Sequence, residues 1–282
     1  MGQNGNEISK FVNDHFYEEL LSNINKTPSD IKIPIKETFL KMNKLMKEEK
    51  GKEIIKQLKI SNIKKEMNKQ EKIKNEKESD KEIINEKEPK IELTEDEEEE
   101  ILDYTGCTAS LVLIDEKYNK LYFGNLGNSE VLIYGKNEPK FFESKHRPTD
   151  DIEKKRIENQ KGLIFNDKLY GILNSTHGFG NLGYNTNKDN KIISDEPDIL
   201  EYNINEDDYI FIGTESIIEC IDKNSFGDIL KNKDNSLKET LDKIIKDNIA
   251  FDFYNNDSEF GFDNITCTLI KIKNSNKKQL EK

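Results

Sequence analysis

KLYFGNLGNSEVLIYG (120–135) is the stretch that decides the fold. Apolar and aromatic side chains alternate with polar ones over 119–125 and again over 129–134, the period of strands whose two faces meet different surroundings. Gly127 and Asn128 supply the turn between them. Just upstream, 108–115 shows the same alternation and reverses through Asp115 and Glu116, so three consecutive strands form an antiparallel run.

Further from this centre the pattern changes by blocks. Downstream come a short charged helix at 151–160 and strand signals at 162–165, 169–173, 191–194 and 208–213. Helical spacing follows at 215–221, 225–231 and 236–250. The last strand, 264–272, has Ile265, Cys267 and Leu269 on one face and Ile270 and Ile272 on the other, so both of its faces are expected to be covered. Near the amino terminus, Ile8, Phe11, Val12, Phe16, Leu20 and Leu21 recur at helical spacing. A second helix over 33–46 carries Ile35, Phe39, Met42 and Met46 on one side, with Pro34 in its first turn. Strands in runs and helices in other runs predict a layered α+β fold.

Between these blocks, 48–100 is nearly all Lys, Glu, Asn and Ile and ends in EDEEEE (95–100). Such a segment buries too little apolar surface to offset its ordering entropy, and it reads as a disordered or loosely helical insert. Its Ile and Leu positions would line one side of a lone helix if a partner covered them. The chain thus divides into 1–47, the insert 48–100, 101–273 and a polar tail, 274–282. The net charge of −12 opposes general nucleic-acid binding. Cys107, Cys220 and Cys267 are an odd number without CxxC spacing, and they read as buried apolar residues in a reducing compartment. No run of about 18 apolar residues and no apolar leader appear, so an intracellular protein of cytoplasm or nucleus, with no membrane span, is expected. The Met-Gly start lacks the Ser or Thr that myristoylation wants, because Asn6 stands there.

Seven segments, in order, resemble the metal-dependent (type 2C, PPM-type) serine/threonine protein phosphatase family: 2–21, 35–46, TGCTASLVLI (105–114), 120–135, KHRPTDDIEKKRIENQKGLIF (145–165), SDEPDI (194–199) and FDNITCTLI (262–270). The resemblance implies two antiparallel sheets packed as a sandwich and flanked by helices. It also implies two Mg²⁺ or Mn²⁺ ions that activate a bridging water and neutralise the phosphoryl oxygens. Such hard cations need carboxylate oxygens.

Carried onto this chain position by position, the family's ligands are eroded. Its bridging aspartate motif, Asp-Gly-His-Gly-Gly, aligns with Met1-Gly2-Gln3-Asn4-Gly5. A thioether cannot replace that carboxylate, whereas Gly2 matches a residue that offers a backbone carbonyl. If Met1 is the true start, the family segment ahead of this motif, with its metal-binding Glu, phosphate-gripping Arg and first strands, is expected to be missing; if Met1 is internal to a longer chain, those residues lie upstream. The second motif, Asp-Gly, reads Glu215-Ser216, one methylene longer. The third survives as Asp263-Asn264-Ile265-Thr266, and Asp263 is the foremost metal candidate. Two further acidic positions have become Asn128 and Asn181.

Each candidate also has a plainer reading. Asp263 suits a turn that bonds backbone N–H groups, and Glu215 suits a helix first turn favoured by the macrodipole. His146, in KHRP, is either a proton donor near the family's substrate cleft or a loop residue before Pro148. STHGFGNLG (175–183) is no nucleotide cradle, because no Lys-Ser or Lys-Thr follows it. Cys107 reads as core rather than nucleophile.

Two functions follow from the resemblance. One is a pseudophosphatase that binds a protein partner or phosphoprotein without hydrolysing it, with Mg²⁺ or Mn²⁺ only if a vestigial site survives. The other is a divergent active phosphatase. A sandwich without its first strands would also need a partner, or another part of this chain, to complete the sheet.

Overall fold

The computed structural model describes residues 2–77, 91–135, 140–185, 191–231, 236–248 and 265–273. Met1, Asp263, the 274–282 tail and the middle of the expected insert lie outside the described residues. The elements run β1 (Gly2–Gln3), α1 (Glu7–Lys26), α2 (Lys32–Lys47), α3 (Glu49–Lys77), α4 (Glu95–Tyr104), β2 (Gly106–Cys107), β3 (Ala109–Asp115), β4 (Lys120–Leu126), β5 (Glu130–Tyr134) and β6 (Lys140–Phe142). There follow α5 (Asp151–Asn159), β7 (Ile164–Phe165), β8 (Lys168–Leu169), β9 (Phe179–Gly180), β10 (Asp198–Asn203), β11 (Tyr209–Gly213), α6 (Glu215–Ile218), α7 (Lys223–Lys231), α8 (Leu237–Asn248) and β12 (Cys267–Lys271).

Two antiparallel sheets, ordered β10-β4-β3 and β12-β11-β5-β6, form the centre. The alternation read in 120–135 assigns their faces. Leu121 and Phe123 of β4 point inward to meet Val131 and Ile133 of β5 and Ile210 of β11. Tyr122 and Leu126 point outward to α1 and α2, joining Ile8, Phe11, Ile35, Phe39, Met42 and Met46. On the far side Leu132, Tyr134 and Phe211 pack against α6, α7 and α8 through Ile217, Ile218, Phe226 and Ile244. The order of layers is therefore helix, sheet, sheet, helix, the sandwich that the resemblance implied. Each fully buried large side chain contributes roughly 1.5–3 kcal/mol. Gly124 lets α2 approach β4 closely, because a Cβ there would lie 3.0 Å from both Ile35 and Phe39.

β12 behaves as its two-faced pattern predicts: Cys267 and Leu269 pack toward α6–α8, and Ile270 packs between the sheets. Other expectations are corrected. No strand forms at 191–194; Ile192 and Ile193 are buried beside Ile157 and Leu169, and only a bridge from Ser194 to His177 is made. The 169–173 signal is a tight turn in which Leu169 bonds back to Leu173. β10 was not legible, since its burial is only partial and Asp198 and Glu201 interrupt its apolar positions.

The stretch expected as a polar insert is helical at both ends. Ile54, Ile55 and Leu58 join the cluster around α1 and α2, with Ile55 2% exposed. Asn62 of α3 donates to Asn6 and Glu7 at 2.8 Å and accepts from Lys10, tying this helix to the start of α1. α4 begins with a capping box in which Thr94 and Glu97 satisfy each other's backbone N–H groups. A few well-placed apolar residues thus order a segment whose composition is otherwise solvated.

Candidate functional site

The turn after β4 places the first group of site residues. Gly127 has φ +114°, and a Cβ there would sit 2.2 Å from Thr108 Cγ2, so only glycine fits. Its carbonyl accepts from Asn125 Nδ2 and Ser144 Oγ, and its N–H donates to His146 Nδ1 at 3.0 Å. That tight turn aims Asn128 at the end of β11.

There the chain leaves Gly213 through Thr214 into α6, with Glu215 in the first helical turn. Thr214 N–H donates to the Thr266 carbonyl at 3.0 Å, and Thr266 N–H to Thr214 Oγ1 at 3.3 Å. The second and third motifs therefore adjoin through Thr266, whereas Asp263 itself is outside the described residues.

Glu215 is engaged on both oxygens. Oε1 accepts from Arg147 Nη1 at 2.8 Å, and Oε2 accepts from Asn128 Nδ2 at 2.5 Å and Asn174 Nδ2 at 3.5 Å. A carboxylate only accepts, so the amide nitrogen of Asn128, not its oxygen, faces it. Arg147 reaches two more carboxylates, Glu219 Oε1 at 2.8 Å and Glu130 Oε1 at 3.2 Å. The β5–β11 register pairs Glu130 with Gly213, which fixes its place near Glu215. Burial works against the Arg147 charge, but Glu219, Glu215 and Glu130 outweigh it and raise its pKa further. Burial lifts the Glu215 carboxyl above its ordinary range; Arg147 opposes this, and Glu219 and Glu130 add to the rise. Burial is thus the main cause of the rise at Glu215, and the three acids together are the cause of the rise at Arg147.

His146 is buried, 3% exposed, and both ring nitrogens are engaged. Nδ1 accepts from Gly127, which puts the proton on Nε2, 3.2 Å from Asp198 Oδ2. This contact, opposed by burial, holds the Asp198 carboxyl below its usual range. The His177 ring stacks on His146 at 3.7 Å and 4°. His177 Nδ1 meets the Glu196 carbonyl at 2.8 Å, and Nε2 lies 3.2 Å from Glu153 Oε2, out of line for a hydrogen bond.

Gly2 and Asn181 form a second group. β1 pairs Gly2 with Cys107, and β2 pairs Gly106 with Gly180, which puts Gly2 in a three-stranded sheet that Asn181 directly follows. Asn181 is buried in the left-handed region at φ 52°, and its N–H donates to the Thr105 carbonyl at 2.9 Å. The loop 174–180 links the groups, from Asn174 on Glu215, past His177 on His146, to β9. Among the described residues, no three His, Cys, Asp or Glu side chains stand arranged to hold a metal ion. Arg147, Glu130, Glu219 and Asn174 were missed by sequence reasoning. KHRP contained the signal, but only its histidine drew a chemical reading.

The sequence profile described as Protein phosphatase 2C matches residues 1–256. The chain is 28% identical to Probable protein phosphatase 2C 6 of Paramecium tetraurelia over 96% of its own length and 81% of that protein. It is 24% identical to Probable protein phosphatase 2C 21 of Arabidopsis thaliana over 99% of its length and 79% of that protein. Its fold is similar to that of a sex determining protein of C. elegans, with a TM-score of 0.63 and 17% identity, over 96% of this chain and 54% of that one. The layered sandwich, the ordered motifs and these matches together place the chain in the protein phosphatase 2C family.

Proposed function

We propose that this protein phosphatase 2C domain is a pseudophosphatase, a binding and regulatory module that does not turn over phosphate esters. The observation that carries the reading is the capping of Glu215 by Arg147 and Asn128. Mg²⁺ or Mn²⁺ would activate the family's attacking water when bound, and Mg²⁺ needs free carboxylate oxygens at about 2.0–2.1 Å. The described residues do not fit one: the carboxylate oxygens of Glu215 are occupied by N–H donors, and Asn128 and Asn181 bring no charge. In this reading Gly2 belongs to a small structural sheet that Asn181 directly follows, and His146 clamps the turn at Gly127 rather than donating a proton.

The module's ligand is proposed to be a protein partner or phosphoprotein. β3 supports this: among the described residues it pairs only with β4, and its run Leu111, Val112, Leu113 and Ile114 stays half-buried. Such an edge suits an added extended segment. An intracellular setting is proposed from the three unpaired thiols. Among the described residues, no helix is long and apolar enough to cross a membrane.

Phosphate release from phosphoserine and phosphothreonine peptides in millimolar Mn²⁺ tests the reading. Release no faster than in buffer is expected. Release that requires Mn²⁺ and disappears in Asp263→Ala would establish instead a divergent active phosphatase, which the retained Asp263-Asn264-Ile265-Thr266 motif favours.

A further inference from the structure

The turn Asn166-Asp167, with φ of 50° and 59°, closes β7 and β8 into a tight hairpin. Ile164 and Leu169, paired in register, pack inward with Leu173 on Ile157 of α5. Tyr170 N–H donates to the Leu163 carbonyl at 2.8 Å, so the pairing reaches Leu163. Strand alternation therefore puts Leu163 and Phe165 on the outer face, with Lys168 opposite Phe165. Leu163 and Phe165 are each 66% exposed, and Ile172, in the turn that follows β8, is 56% exposed. That turn adjoins Phe165, since a Cβ on Gly171 would lie 3.4 Å from Phe165 Cδ1. Single apolar side chains on a surface are ordinary, whereas three from one hairpin make a patch. The register holds them outward, because a one-residue slip that buried them would expose Ile164 and Leu169.

The charge beside the patch runs against that of the chain. Residues 154–168 hold Lys154, Lys155, Arg156, Lys161 and Lys168 against Glu158 and Asp167, in a chain of net charge −12. Arg156 is held by Glu153 at 2.7 Å, but the four lysines are exposed and, among the described residues, pair with no carboxylate. At physiological ionic strength, exposed charges farther apart than about 8 Å are largely screened, so these lysines set the local field. We infer that the outer face of the β7–β8 hairpin docks a partner protein through a segment in which acidic residues flank an apolar anchor. The anchor covers Leu163, Phe165 and Ile172, and the acids meet Lys161 and Lys168. Ile172 is followed by buried Leu173 and then by Asn174, which bonds Glu215, so a segment seated here borders the polar site. The inference rests on the proposed binding role, and it holds whether or not phosphate esters are turned over.

The test is fluorescence anisotropy with a labelled peptide, Glu-Asp-Glu-Phe-Leu-Glu-Asp-Glu, titrated with the full chain. Two control peptides replace its acids by Lys and Arg, or its Phe-Leu by Ala-Ala. The acidic peptide should bind wild type saturably, and both controls should bind about tenfold more weakly. Leu163→Ser/Phe165→Ser and Lys161→Glu/Lys168→Glu, all at exposed positions, should each weaken the acidic peptide about tenfold or more. Should a double variant fail to fold, Phe165→Ala and Lys168→Gln are read in its place, each with about a threefold loss. No saturable binding of the acidic peptide, equal binding of the basic one, or binding that the folded variants retain would overturn the inference. Self-association of wild type that Leu163→Ser/Phe165→Ser abolishes in sedimentation would give the patch to a second copy and overturn it too. So would binding to phosphatidylserine vesicles that the same variant loses. None of these results bears on phosphate release, so the inference and the pseudophosphatase reading fail separately.

Discussion

Glu153 carries a fork of hydrogen bonds from Arg156, at 3.1 Å from Nε and 2.7 Å from Nη2, and His177 stands 3.2 Å away. Burial alone would push its carboxyl up, but contacts with His177, Arg156 and Thr176 outweigh that and hold it far below the usual range. A carboxyl depressed on folding contributes stability that is complete above the unfolded value near ~4.3 and is lost as pH falls through that value toward the folded one. The urea midpoint of wild type is therefore expected to drop steeply below about pH 5. Glu153→Gln should cost about 2 kcal/mol at neutral pH and flatten the acid limb; an unchanged acid slope would contradict this. Cys107 makes a second residue-scale case. Burial pushes its thiol up to about 12, and burial likewise raises Cys220 and Cys267. A thiol held protonated is a poor nucleophile, so Cys107 should resist an aromatic disulfide reagent in the native state and react only on unfolding. At this scale Glu215, Asn128 and Asn181 are singled out in the sequence because they stand in ordered motifs. Arg147 stayed hidden because its partners lie 17, 68 and 72 positions away and meet only in the folded chain.

α3 shows how an element departs from its composition. Its first half docks through Ile54, Ile55 and Leu58, while Ile73 in the second half is 46% exposed. Ile55→Ala should cost about 2–4 kcal/mol through the cavity it leaves, whereas Ile73→Ala should stay within about 0.5 kcal/mol. Equal effects in chemical denaturation would mean that α3 is not anchored at its start. The strands β3, β4, β5, β11 and β12 were legible because one or both of their faces carry an unbroken apolar period. β10 was not, since Asp198 and Glu201 break its apolar period and only Ile199 and Tyr202 are half-buried. α4 was concealed inside an acidic run, and its capping box becomes evident only once Thr94 is seen to precede a helix.

Across the whole molecule, two sheets supply the rigid frame, and the loops at 127–129, 143–150 and 174–181 carry the polar site between β4, β11 and β9. The sandwich is legible in the amino-acid sequence, because strand period and segment order are both plain in it. The state of the site is not, since it depends on which groups face one another. The half-buried edge of β3 predicts that sedimentation will find the chain paired with another polypeptide or with itself. A monodisperse monomer of ordinary thermal stability would argue against that pairing. The capped Glu215, with amides at Asn128 and Asn181, is proposed to leave no working bimetal centre. Calorimetric titration of the wild-type chain with Mn²⁺, with Asp263→Ala as control, tests it most directly. No binding heat and no shift in melting temperature are expected; micromolar binding of two ions, abolished by Asp263→Ala, would overturn the pseudophosphatase reading.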